Sequence, residues 1–342
     1  MNESPVLVPG ARRRAFDVRS AAVTAVLPVV IAALLVVALA VGEYPLTVLD
    51  VLGALMGTTD GLAPTVVLDW RLPRAAAAVA FGAALGVAGA IFQTVARNPL
   101  ASPDVIGLAH GSFTGMIVAL LFLGGSWPLL IGGSLLGGVV TALAVAVLTA
   151  RDGFQSFRFI VIGIGVSAML AAVNSWLLLR AELETALFAA AWGAGSLNTV
   201  SADTAWPAIV CIAVLLLAVP VVSRSMRQLE LGDDVARSTG VSVGRVRIVL
   251  IGIAVALVSV VTAIAGPVAF IALSAPQIAR RLVGSAGIPL VASALTGGML
   301  LLGADIVAQH VIPLTVPVGV VTVVVGGGYL VWLLAREMRR AS

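Results

Sequence analysis

Few side chains in this 342-residue chain are equipped for chemistry, and their surroundings narrow what that chemistry is. Asp305 lies inside an apolar run, and an ionisable group at membrane depth is a functional hypothesis by default. A proton-coupled carrier needs such a carboxylate. A polar link between helices, with Gln309 and His310 close by in sequence, uses it equally well. Gln93 and Asn174, also within apolar runs, invite the same two readings: lining a path or joining spans. Cys211 stands alone in another run, which rules out an intrachain disulfide and a thiolate metal cluster. His110 and His310 lack metal-ligand spacing, so neither metal binding nor redox chemistry is expected. All 20 basic residues are arginine, so the lysine of a G-x-x-x-x-G-K-[ST] phosphate loop is missing. The chain has no such site for hydrolysing ATP.

Two arginine-bearing stretches carry more information. In Arg71-Leu-Pro-Arg74 the arginines are three apart, on one helix face. They either snorkel to lipid headgroups or form a fixed cationic patch that pairs bidentately with carboxylates of an outside partner. The longest polar interruption runs from Arg224 to Arg247, with five arginines and three acids. Within it, Asp233 to Thr239 can form two helical turns stopped by Gly240, a residue suited to the left-handed cap. Ser242 can cap the helix that follows. A solvated loop needs none of this order, so the segment predicts a short helix at the membrane surface, offered to a partner.

The elements that must position these residues follow from composition. With 60% apolar and 11% charged residues, and a mean hydropathy of +1.13, the chain is a polytopic membrane protein with an all-α transmembrane fold. Its net charge of +4 and pI ≈ 10.5 come from arginines that flank apolar runs, so lipid is the expected partner and nucleic acid is not. Ten runs are long enough to span: 21–41, 70–95, 103–123, 127–149, 158–179, 205–223, 245–265, 268–283, 288–311 and 317–336. Residues 1–20 read as a polar tail with Arg12, Arg13, Arg14 and Arg19. The run behind them exceeds a signal core, so it is read as a retained first span. Residues 21–340 form one transmembrane domain, with no linker or change of composition to mark a second.

With the amino terminus inside, seventeen arginines fall on the inner side and only Arg71, Arg74 and Arg180 outside. This puts the 224–247 segment and both termini in the cytoplasm. Outside, Thr47 to Leu55 reads as a capped surface helix, and Glu182 to Trp192 as another that ends in a turn at 193–198. Gly82, Gly86 and Gly89 have the spacing that lets helix backbones approach closely. Pro99 should end that span, with Ser102 and Pro103 opening the next.

Taken together, these stretches resemble the permease family of bacterial ATP-driven importers for iron–siderophore complexes, haem and cobalamin. The resemblance is carried by Arg71–Arg74, Gly82–Gln93, Arg97-Asn-Pro-Leu-Ala-Ser-Pro103, Trp192–Asn198, Gly232-Asp-Asp-Val-Ala-Arg-Ser-Thr-Gly240, Gly266–Leu273, Ala304-Asp305 and Pro317–Thr322, in that order. Gly163–Val166, Asn174–Leu179 and Leu183–Leu187 are most similar to the ferric-enterobactin type. The resemblance implies a second permease, either a copy of this chain or a related one, two cytoplasmic ATPase subunits that bind ATP and Mg²⁺, and a siderophore-binding protein outside. No cofactor is expected in this chain, and the cargo metal would arrive already chelated. The family pattern assigns Gly232, Asp233, Asp234, Ala236 and Gly240 to coupling with the ATPase, and Arg71 and Arg74 to docking of the binding protein. Gln277 stands where the family usually has histidine, and Gln309 where some relatives have a docking arginine.

Overall fold

Where water is absent, a backbone must satisfy its own N–H and C=O groups, and helices do this within each segment. The structure, a computed structural model describing residues 9–104, 106–150, 156–285, 287–313 and 316–341, is helical accordingly. Its helices are α1 (Pro9–Ala40), α2 (Val48–Met56), α3 (Leu72–Ala96), α4 (Leu108–Phe122), α5 (Trp127–Ala150), α6 (Ser156–Arg180) and α7 (Leu183–Gly193). After these come α8 (Ala202–Glu230), α9 (Asp233–Ser238), α10 (Val243–Ala265), α11 (Ile271–Val283), α12 (Leu290–Ile306) and α13 (Val318–Ala341). Wider π-helical turns lead into α3 at Thr65–Arg71 and continue α12 at Val307–Val311. Among the described residues, seven helices are long and apolar enough to cross a membrane, and the shorter α4 and α11 and the apolar part of α13 occupy the other expected runs.

The tail expected over 1–20 is helical from Pro9 onward, so α1 reaches well past its apolar run. Arg19 gives that extension a purpose. Its guanidinium donates to the Leu282 and Arg281 carbonyls at 2.7 and 2.9 Å, satisfying the end of α11. Residues 1–8 and Arg151 lie outside the described residues. So do the side chains of Arg12, Arg13, Arg14, Arg336, Arg339 and Arg340.

Helix α3 is the axis of the bundle: 78% of its apolar stretch is buried, against 17% for α1 and α6 and 22% for α8. Its small residues explain this. A methyl group at Gly82 would lie 2.2 Å from the Gly297 carbonyl oxygen of α12, and one at Gly89 would lie 1.6 Å from the Ala272 oxygen of α11. Both positions need glycine because the backbones touch. A second seam of this kind joins α4 to α5, where Gly111 and Gly115 face Gly137 and Gly133.

The expected opening of the third span at Ser102 and Pro103 is corrected by the structure. Arg97 closes α3 in a left-handed conformation, and a non-helical connection follows until Gly107 (φ 85) starts α4. The reason is packing. Gly107 lies against Ser167 midway along α6, so the chain turns back into the bundle before it coils. A second break, Gly266–Phe270, precedes α11 and packs on the 194–200 turn, where the Ser196 N–H donates to the Ala265 oxygen at 2.7 Å. At the end of the bundle bearing α2, the expected capping box is present: the Thr47 and Asp50 side chains each bond the other's backbone N–H.

Candidate functional site

The polar stretch 224–247 folds as an elbow. Helix α8 runs to Glu230, Gly232 turns the chain at φ 119, α9 occupies Asp233–Ser238, and Gly240 stops it at φ 84. Ser242 sits at the start of α10 as expected, but its hydroxyl makes no capping bond. The two adjacent acids of α9 have opposite surroundings. Asp234 is 99% exposed and makes one pair with Arg237 at 3.3 Å, an exposed contact worth roughly 0–1 kcal/mol. Asp233 turns inward. Its Oδ1 accepts from Arg247 Nη2 of α10 at 2.8 Å and from Arg97 Nη2 at the end of α3. Arg97 also donates to the Leu229 carbonyl from Nε and Nη2, at 3.2 and 3.0 Å. Ala236 is fully buried, whereas Leu231 and Val235 present apolar surface beside Asp234.

Glu230 makes a second link at the same elbow. It accepts from the Thr94 hydroxyl of α3 at 3.3 Å and from the Ile288 N–H at 3.2 Å. Next to it lies a cavity of ≈ 350 Å³, lined in part by Arg97, Asn98, Glu230 and Arg280. Above that cavity Gln277 Nε2 donates to Gln93 Oε1 at 2.6 Å, and Gln93 Nε2 donates to the Leu273 carbonyl at 3.0 Å. Gln93 therefore joins α3 to α11 and is itself buried.

The other polar residues picked out within spans are links as well. Asn174 of α6 accepts from the Thr114 hydroxyl at 2.7 Å and donates to the His110 carbonyl at 3.2 Å, tying α6 to α4. Asp305 of α12 receives Arg74 Nη2 and Nε at 2.8 and 3.1 Å and Gln309 Nε2 at 2.6 Å. Gln93, Asn174 and Asp305 each bond to a second span, and Gln93 also lines the cavity.

Arg71 and Arg74, read from sequence as snorkelling or as a fixed cationic patch, both spend hydrogen bonds inside the chain. Arg71 donates to the carbonyls of Leu39, Ala40 and Tyr44 at 2.7, 3.2 and 2.7 Å, closing the end of α1, and Arg74 is taken up by Asp305. Carbonyl oxygens left over at a helix terminus are unsatisfied acceptors carrying partial negative charge, and a guanidinium on the same chain satisfies them. The structure also brings in residues that sequence reasoning passed over: Thr94, Arg97, Glu230 and Arg247. The signal that could have found them is scarcity. A half-buried acid beside apolar spans is stabilised by a basic neighbour, and Arg97 and Arg247 lie at the ends of spans on the same side as Asp233.

Comparison with known proteins agrees with this architecture. The FecCD transport family matches residues 30–336. The ferric enterobactin transport system permease protein FepG of Escherichia coli (strain K12) is 48% identical over 300 residues, covering 87% of this chain and 91% of FepG. The ferric enterobactin permease protein FepD of the same organism is 34% identical over 308 residues, covering 88% of this chain and 91% of FepD. A metal-chelate type ABC transporter solved in an inward-facing conformation superposes with a TM-score of 0.82 at 25% identity, over 92% of this chain and 98% of that one. The match runs from within α1 into α13 and takes in the α9 elbow, so the chain belongs to the FecCD transport family.

Proposed function

We propose that this chain is the membrane-spanning permease subunit of an ATP-driven importer whose cargo is a ferric siderophore of the catecholate, enterobactin-like kind. The observation that carries the reading is the 48% identity to FepG along almost the full length of both chains. FepG and FepD are both named as ferric enterobactin permeases and both align here, which supports a related, non-identical second permease as partner. Two ATPase subunits would engage the α9 end through Asp234, Val235 and Leu231, the exposed side of the elbow. That end, with both termini, would face the cytoplasm, as the arginine distribution favours.

ATP-driven closure of the ATPase pair would shift α9 and bias the spans between outward and inward access, an equilibrium between two arrangements. A binding protein would dock at the opposite end, bearing α2 and α7. Arg71 and Arg74 serve that docking by holding the ends of α1 and α12 in place. The proton-coupled alternative rests on Asp305, whose carboxylate takes three hydrogen bonds from Arg74 and Gln309 and ties α12 to α3.

Uptake of radiolabelled ferric enterobactin, haem and cobalamin in a strain deleted for this chain tests the assignment. Ferric enterobactin uptake should fall to background and return with the restored gene, with cobalamin and haem uptake unchanged. Loss of cobalamin or haem uptake in its place would overturn the choice of cargo.

A further inference from the structure

Helix α9 has six residues, too few to hold a helical conformation or a fixed direction unaided. It is flanked by Gly232 and Gly240, both at positive φ, and a Cβ at either position would meet nothing within 4 Å. Both flanks are therefore conformationally permissive and sterically open. A push on α9 would be absorbed by rotation at these glycines unless something fastens the helix to the spans. Ala236 supplies one small apolar contact. Among the described residues, the ion pairs that tie α9 to other helices are those of the Asp233 carboxylate.

We propose that Asp233 is the bolt of the coupling element. By accepting from Arg97 and Arg247 on one carboxylate it locks α9 to α3 and α10, so that displacement of α9 moves the connection between α3 and α4 instead of bending at Gly232 and Gly240. This rests on α9 being the ATPase-coupling helix. Asp233 is thus a positioning residue acting inward, with Asp234 beside it facing out.

The choice of partners supports the role. Arg97 caps the end of α3, at φ 49, and the connection to α4 begins directly after it. Its two bonds to the Leu229 carbonyl fasten the end of α8 to the same point. Arg247 is about nine-tenths buried, so it needs an anion, and Asp233 supplies one at 2.8 Å. Charge-assisted bonds converging on one oxygen fix direction as well as distance. The elbow is thereby held to α3, α8 and α10 from one side, with its outer face left clear.

The test uses the assembled importer in proteoliposomes, comprising both permeases, the ATPase pair and the binding protein, with ferric enterobactin as cargo. Asp233→Asn keeps the size of the side chain and removes its charge. ATP hydrolysis should continue, uptake per ATP hydrolysed should fall ten-fold or more, and Asp233→Glu should recover at least half of it. Arg97→Gln breaks the link from the other side and should uncouple likewise, which covers the case in which Asp233→Asn does not assemble. Uptake per ATP within two-fold of wild type in either variant, or a parallel fall of hydrolysis and uptake in both, would overturn the bolt. Val235→Arg on the outer face separates the two levels. If the ATPase co-purifies with it undiminished, the coupling reading falls and the bolt with it. If co-purification is lost while Asp233→Asn stays coupled, the bolt alone falls.

Discussion

Arg74 and Asp305, separated by 231 positions in the chain, meet in a two-pronged ion pair that joins α3 to α12. Asp305 has 3% of its side chain exposed and Arg74 has 19%, so neither is well hydrated once its partner is lost. Removing one member of a buried pair leaves an uncompensated charge, at a cost of about 3 kcal/mol, the low end of the usual range because Arg74 is partly wetted. Asp305→Asn should lower the thermal unfolding temperature of the solubilised subunit, and Arg74→Met should do the same. The double variant should lose less than the sum of the two. Additive losses would show that the pair is not coupled.

Gly82 and Gly297 make the closest crossing of α3 with α12, each lying where a methyl on the other would meet backbone oxygen at 2.2 and 2.1 Å. Backbone cannot rotate away as a side chain can, so Gly82→Ala should force the helices apart and cost about 1–3 kcal/mol. Gly303, one helix turn beyond Met299 on α12, has nothing within 4 Å of a would-be methyl. Gly303→Ala should be neutral or stabilise by roughly 0.5–1 kcal/mol through helix propensity. Unfolding of the two variants in a graded detergent series separates these outcomes.

The spans were legible because twenty apolar residues in a row have one stable conformation in lipid, and α9 because Gly232 and Gly240 bracket a polar helical stretch. The Gly82 seam was readable from its spacing. The α4–α5 seam has the same four-residue spacing at Gly111/Gly115 and Gly133/Gly137, and it went unread because α4 is short and its start was placed too early. What sequence could not convey is pairing across distance. Nothing periodic connects Arg97 to Asp233 or Arg74 to Asp305, and Arg71 spends its charge on backbone carbonyls, which have no residue signature at all. Arg71, Arg74 and Asp233 are hydrogen-bonded within the chain, whereas Asp234 is exposed.

The cap of α2 has a defined pH dependence. Hydrogen bonds from the Thr47 hydroxyl, then from its N–H, hold the Asp50 carboxyl below its ordinary value of 3.8. A carboxyl lowered on folding contributes stability above its unfolded pKa, and that contribution is lost as pH falls through the lower, folded value. The amides of Val48–Met56 should therefore keep constant protection from neutral pH down to about pH 4 and lose it only below. Hydrogen exchange corrected for intrinsic rate measures this. Thr47→Ala should lower protection by about 1 kcal/mol at neutral pH, the usual worth of an N-cap, and loss of protection already at pH 6 would contradict the assignment.

Gln277 occupies a buried position on α11 and spends one amide hydrogen on Gln93 Oε1 at 2.6 Å, while Gln93 returns a bond to the Leu273 carbonyl of the same helix. The three groups form a link between α3 and α11, and both glutamines line the cavity beside the α9 elbow. Gln277→Leu removes the donor and leaves the Gln93 oxygen without one in a setting that excludes most water, a loss of roughly 1–3 kcal/mol. Replacing both glutamines by leucine removes the orphaned oxygen too and should recover a large part of that loss, because two apolar side chains of similar length fill the same volume. The double variant should then be more stable than Gln277→Leu yet transport less well, since a polar joint that can exchange partners between two arrangements has become a fixed apolar contact. Thermal unfolding together with ferric enterobactin uptake in the reconstituted importer decides it: a double variant that transports at the wild-type rate would reduce the pair to packing.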